Sequence, residues 1–191
     1  MSCLICESSR ARPVWRQGQL RIDKCQRCGV LFTVNRPTEE EMMRLYAGGE
    51  LITERPDPLA QRKELCPAWK MAEHARLLDD LAQRGMKKGT LLDVGCFSGL
   101  FLGNARKRLF ECTGVEPNED ACMHVRQAQR LEVFNGSLES AQFAPERFSV
   151  VSIQDVIEHV PDPLSELREI FRIQQPGGWR VLTTPNVKSL L

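Results

Sequence analysis

The chain has 191 residues, 42% hydrophobic and 27% charged, enough to bury one ordinary core with a small appendage. Its 26 Lys/Arg against 25 Asp/Glu leave a formal charge of +1, too small for a nucleic-acid-binding arm. The opening "MSCLICESSR" lacks an apolar signal core, and no run reaches the roughly 18 apolar residues of a membrane span, so a cytoplasmic protein without a membrane partner is expected.

Residues 1–36 hold seven Lys/Arg and two Asp/Glu, leaving 19 and 23 for the rest. Four of the eight cysteines lie here as Cys3-x-x-Cys6 and Cys25-x-x-Cys28, with 18 residues between the pairs, while Cys66, Cys96, Cys112 and Cys122 are isolated. Two such turns can present four thiolates to one tetrahedral ion, and Zn2+ would supply the folding energy that so short a segment cannot draw from its own core. Four thiolates on a dication carry net minus two, which lowers the local charge from +5 to +3 and leaves a modest basic patch. Buried free thiols are the plain alternative; a redox-active pair is disfavoured because no thioredoxin-like pattern surrounds it. "VWRQGQLRI" predicts a hairpin around Gln17-Gly18 and "GVLFTV" a strand, giving a zinc-ribbon-like module.

Residues 37–67 read as a helix and a linker. In "RPTEEEMMRLY" Thr38 can cap a helix while Glu41 returns the hydrogen bond. "AGGELITERPDPLAQRKELCP", with two glycines and three prolines, reads as a linker or flap. Across 68–84 Met71, Ala75, Leu78 and Leu81 recur at helical spacing, ending at Gly85.

From Thr90 strands alternate with helices: "TLLDVG", "ECTGVE", "LEVFNG", "FSVVSIQD" and "WRVLTTP", with helices starting near Gly99, Asn118 and Pro163 and an irregular connection "SLESAQFAPER". This predicts an α/β domain over 68–191, a parallel sheet covered by helices.

The turn "DVGCFSG" resists two familiar readings. A phosphate-binding loop needs a lysine and a Ser/Thr after its last glycine, where Leu100 and Phe101 stand. A dinucleotide turn needs a glycine where Phe97 stands, so that backbone can approach a pyrophosphate. A nucleoside without phosphate remains compatible. Glu116 ends the second strand 21 positions after Gly95, where a carboxylate can accept hydrogen bonds from both hydroxyls of a ribose. The plain alternatives are a solvated strand-end acid at Glu116, a turn-capping acid at Asp93, and glycines kept for packing alone.

"LLDVGCFSG", "GVEPN", "VFNGSLES", "FSVVSIQDVIEHVPDP" and "QQPGGWRVLTTPN" together resemble the ordered motifs of class I S-adenosylmethionine-dependent methyltransferases over about half the chain. The paired knuckles followed by "RPTEEEMMRLYAGGE" resemble bacterial members with an N-terminal zinc-binding segment. The resemblance implies a Rossmann-like sheet with S-adenosylmethionine, or its product S-adenosylhomocysteine, across the carboxyl ends of the first, second and fourth strands. It implies that Asp93, Gly95, Cys96 and Gly99 surround the methionine portion and Glu116 the ribose, with Pro117 and Asn118 flanking the adenosine and Phe97 of the same turn also among the cofactor-binding residues. Ser137, Leu138 and Glu139 would border the adenine, and Asp155 and Val156 would close the site. Members usually carry a small residue where Phe97 stands.

The donor's sulfonium already activates the methyl group, so the protein must chiefly align a nucleophile and exclude water. For a hydroxyl or acidic carbon a general base helps, and His159 is the best-placed candidate. His74 and His124 fall in helices and read as packing or surface groups; Cys96 reads as packing, since no activating partner is visible. Family members continue past the fifth strand to an antiparallel pair, whereas this chain stops at "NVKSLL". The expectation is therefore a truncated domain with an exposed edge strand that a partner or second copy can shield, making a homo-oligomer. The expected activity is methyl transfer to a small-molecule or carrier-borne acceptor, oxygen slightly preferred over carbon or nitrogen. The alternatives are a zinc-bearing RNA methyltransferase, against which low charge and few aromatics argue, and a nonenzymatic zinc-ribbon protein that binds the donor as scaffold or sensor.

Overall fold

The structure is a computed structural model and describes residues 2–47 and 68–186. The proposed linker from residue 48 to 67, with Cys66, lies outside the described residues.

Strands β1 (Ala11–Gln17), β2 (Leu20–Cys25) and β3 (Leu31–Thr33) form an antiparallel meander in which Gln17 pairs with Leu20 around the expected tight turn. Its core is small: Cys3, Cys25 and Phe32 are buried, with Leu4, Cys6, Ala11, Val30 and Val34 packed about them. Helix α1 (Glu39–Ala47) begins with the expected capping box. Glu41 Oε2 accepts from the Thr38 N–H at 2.8 Å, and the Glu41 N–H donates to Thr38 Oγ1 at 3.3 Å. These bonds hold the Glu41 carboxyl below its ordinary range.

Helix α2 (Ala68–Gln83) turns His74, Leu78 and Leu81 inward. Behind it run five parallel strands, β4 (Gly89–Val94), β5 (Phe110–Glu116), β6 (Glu132–Asn135), β7 (Phe148–Gln154) and β8 (Gln174–Thr183), in the order β6-β5-β4-β7-β8. The chain winds from β4 to β6 on one side, then crosses to β7 and β8 on the other. The order reverses at β4, and in such sheets ligands bind in the crevice beyond the strands' carboxyl ends.

Burial on both faces explains the near-continuous apolar runs. Leu91 and Val150 face one layer with Leu78, Phe101, Leu102 and Val125, whereas the next residues, Leu92 and Val151, face the other with Phe143, Ile170 and Ile173. Helices α3 (Leu100–Lys107), α4 (Glu119–His124) and α5 (Pro163–Ile173) cover the sheet.

Two elements differ from expectation. Helix α4 is one short stretch that passes into a π-helical turn, Val125–Gln129, ended by Arg130 in the left-handed region; the Arg126 guanidinium there donates to the Val133 carbonyl on β6. Strand β8 starts directly after α5, five residues before Trp179, because Gln174 already pairs with Phe148 before an irregularity restores the register at Trp179 opposite Val150. Among the described residues β6 and β8 are the sheet's outer strands, and no helix is long and apolar enough to cross a membrane.

Candidate active site

The turn between β4 and α3 is latched to β5: the Val115 carbonyl accepts from the N–H groups of Gly95 (2.8 Å) and Cys96 (3.1 Å). Gly95, Phe97 and Gly99 all have positive φ, 70°, 45° and 68°. Gly95 is required twice over, since a Cβ there would lie 2.5 Å from Val156 Cγ2 in a conformation L side chains avoid. Phe97 pays that conformational cost. Its N–H donates to Glu116 Oε2 at 2.8 Å, while the Asn118 N–H donates to Glu116 Oε1 at 2.9 Å. Glu116 is buried and its carboxylate is held by two backbone donors, one on each oxygen.

A cavity of about 710 Å³ opens at this edge of the sheet. Gly95, Phe97, Glu116, Pro117 and Asn118 line it beyond β4 and β5, Ser137 and Leu138 beyond β6, and Asp155, Val156 and His159 beyond β7. A second cavity of about 340 Å³ adjoins it, sharing Gly95, Phe97 and Asp155 and adding Asp93 and Cys96. Two expected residues line neither. Gly99 packs against the π turn, where a Cβ would lie 2.9 Å from Val125, and Glu139 is exposed. Asn118 is engaged on both sides of its amide: Oδ1 accepts from the Ala121 N–H at 2.8 Å, capping α4, and Nδ2 donates to the Tyr46 carbonyl at 3.1 Å.

Sequence reasoning missed the contribution of α1. Pro37, Met42, Leu45 and Tyr46 wall the larger cavity, and the Tyr46 ring meets His159 edge-on at 6.2 Å. Burial, then the charges of Glu158 and Glu116, push the Tyr46 hydroxyl up, so it stays a neutral donor. The i, i+3/i+4 spacing of Met42, Leu45 and Tyr46 was the available signal. Lys70 and Gln154, which no motif singles out, line the smaller cavity, and His74, whose helical position predicts a packing or surface group, is buried beside them.

His159 Nε2 stands 4.0 Å from Glu158 Oε1, and Glu158 Oε2 in turn accepts from Thr184 Oγ1 at 3.1 Å. Asp155, at the end of β7, accepts from Lys70 Nζ at 2.9 Å and Thr183 Oγ1 at 3.1 Å. Burial works to raise its carboxyl, but Lys70 and Thr183 prevail and hold it low. Asp93 behaves oppositely: burial, helped by the Glu116 charge against Ser152 and Lys70, raises it to about 7. Burial also pushes the Cys96 thiol up, consistent with packing rather than nucleophilic use.

In the N-terminal module the sulfurs of Cys3, Cys6, Cys25 and Cys28 lie within 4.8 Å of one another, Cys3 to Cys28 at 3.5 Å and Cys6 to Cys25 at 3.6 Å. A tetrahedron with metal–sulfur arms of about 2.3 Å has sulfur–sulfur edges of roughly 3.8 Å, so the donor set fits Zn2+. Cys25 is pulled down to about 6, first by the backbone of Cys28. At Cys28 the Val30 backbone acts the same way, but burial and the neighbouring sulfurs drive the thiol up to about 12. A dication relieves this crowding of like charges.

This strand order, with an acid closing the second strand over a glycine-edged turn, defines a class I methyltransferase fold. Residues 61–190 match the profile of the family described as methyltransferase domain, and the chain belongs to that family. It is similar to the ubiquinone biosynthesis O-methyltransferase of Aliivibrio fischeri (strain MJ11), 34% identical over 109 residues, covering 53% of this chain and 47% of that protein. The corresponding protein of Pseudomonas paraeruginosa (strain DSM 24068 / PA7) is 35% identical with the same coverage. The chain thus spans about half the length of the curated relatives it matches. Among solved structures, the PH0226 protein of Pyrococcus horikoshii OT3 matches with TM-score 0.52 and 25% identity over 61% of this chain and 58% of that one. A candidate sarcosine dimethylglycine methyltransferase of Galdieria sulphuraria matches with TM-score 0.55 and 19% identity over 59% and 46%, and supports the fold alone.

Proposed function

We propose that the chain is an S-adenosylmethionine-dependent methyltransferase that transfers a methyl group to an oxygen of a small-molecule or carrier-borne acceptor. The observation that carries this reading is Glu116, a buried carboxylate fixed by two backbone N–H groups at the rim of the larger cavity, next to a turn carrying Phe97 instead of a glycine. That combination suits a ribose diol and obstructs a pyrophosphate. A cavity of about 710 Å³ has room for a nucleoside and part of an acceptor. The O-methyltransferase relatives favour oxygen.

When bound, the donor supplies a methyl group on a sulfonium and leaves as a neutral thioether. The chain's own residues do the rest. Pro117 and Leu138 flank the nucleoside, while Met42, Leu45 and Tyr46 shield the reacting centre from water. His159, steered by Glu158, accepts the acceptor's hydroxyl proton as the new carbon–oxygen bond forms and the carbon–sulfur bond breaks. Zn2+ on Cys3, Cys6, Cys25 and Cys28 takes a structural role, since four sulfurs close its coordination shell.

Glu116→Ala should weaken S-adenosylhomocysteine binding by about 1–3 kcal/mol in calorimetry, the worth of hydrogen bonds to a charged group. Unchanged affinity, or tighter binding of a dinucleotide than of the nucleoside thioether, overturns the reading.

A further inference from the structure

The outer face of the N-terminal meander carries positive charge with no acid beside it among the described residues. Cross-strand partners point to the same side of a sheet, so the register sets Arg12 beside Lys24, Trp15 beside Ile22 and Gln17 beside Leu20 on one face, with Leu31 of β3 next to Lys24. Asp23 and Cys25 point to the other, buried side, where both oxygens of Asp23 accept from the Arg21 guanidinium at 2.9 Å. Arg12 and Lys24 are therefore like charges directly opposite each other, which destabilises a strand pair, and neither makes an ion pair among the described residues.

Trp15 reaches this face through an irregularity. The register shifts between Pro13 and Trp15, so Val14 is an extra residue without a partner; strict alternation would have turned Trp15 toward the side of Asp23, and the bulge re-aims it outward beside Ile22. Trp15 is 44% exposed and Leu20 54%. A repulsive pair and an exposed indole thus sit on the part of the molecule with the smallest apolar core, and local conflicts of this kind mark surfaces kept for a use.

The face has an apolar centre in Trp15, Ile22 and Leu20, with two cations on one flank. We infer that it docks a partner protein through an acidic amphipathic helix, whose apolar side chains cover Trp15 and Leu20 while its carboxylates meet Arg12 and Lys24. Charge complementarity sets the sign of the partner, and Trp and Arg are the residues that most often carry binding energy at protein interfaces. Nucleic acid fits this face less well, because one aromatic ring among aliphatic side chains stacks one base and two cations neutralise only two phosphates. Neither cavity includes these residues, so the inference stands apart from the functional reading above.

The probe is a synthetic helical peptide with leucines along one side and glutamates flanking them, titrated onto the full chain by calorimetry. It should bind, more weakly as salt is raised, while the same peptide with lysine for glutamate should not bind comparably. Arg12→Glu combined with Lys24→Glu should weaken the peptide about tenfold or more and Trp15→Ala by a similar factor, whereas Arg12→Lys should stay within about twofold of the parent. Unchanged amide-exchange protection in β2 and β3 shows that a variant keeps its fold; should Trp15→Ala lose it, Leu20→Ser takes its place. A glutamate peptide that binds no better than its lysine counterpart, or variants that bind as the parent does, overturn the inference. So does oligothymidylate binding more tightly than the peptide, which gives the face to nucleic acid, or a dimer in sedimentation that Trp15→Ala dissolves, which gives it to a second copy.

Discussion

The two halves of the molecule solve the same stability problem by opposite means. In residues 2–36 the buried apolar side chains are Phe32 and two of the four clustered cysteines, Cys3 and Cys25, and β1 is exposed along nearly its whole length. In the sheet domain two apolar layers enclose strands whose residues are buried on both faces. The first region has little apolar core of its own, and its four sulfurs are spaced to fit a metal. The second has enough to carry Asp93, a buried acid, and Phe97 in a left-handed conformation beside the site. Burial of apolar area scales with size, so a small module gains most from a metal, while a larger domain can support locally unfavourable groups.

Chelation is the strongest way to break this contrast. Removing the metal should cost the module on the order of 10 kcal/mol of folding free energy and unfold it, with the sheet domain's melting transition nearly unchanged. Amide exchange would localise the effect, and uniform loss of protection across both regions contradicts it. A domain that melts with its metal is not stabilised by its own core.

A smaller effect lies in the sheet domain. Asp93 sits at about 7 folded against an ordinary 3.8, so the folded state holds a proton that the unfolded chain releases between those values. Its penalty is absent below about pH 4, grows as pH rises and is complete above about pH 7, reaching roughly 4 kcal/mol at most. Asp93→Asn should therefore be more stable than the parent at pH 8, with the gap closing toward pH 4. Denaturant titrations at both pH values check the sign. At the junction, Thr38→Ala should cost about 1 kcal/mol of α1 stability by opening the capping box, read as faster exchange of the first-turn amides.

Much of this organisation is legible in the chain because it is written in local patterns. The hairpin at Gln17-Gly18, the Thr38/Glu41 cap, the spacing of Leu78 and Leu81, and alternation of strands and helices after Thr90 are local or short-range, and each is found. The acid–turn pairing was legible too, since Glu116 and Gly95 are set by strand register. Their hydrogen-bonded union through Phe97 was not. Gly99 fits the same motif on paper, and the structure adds a packing constraint that spacing could not show: a Cβ there would lie 2.9 Å from Val125, 26 positions away.

By itself, then, the sequence determined the clustered cysteine set, the parallel α/β plan and the acid that closes β5 over the glycine turn, because spacing and hydrophobic period carry that information directly. Only the tertiary structure decided that α1 walls the larger cavity, that Lys70 reaches Asp155 across 85 positions, and that His74 is buried beside the smaller cavity. Those facts depend on which helix crosses which strand end, a relation between distant segments that no local period encodes.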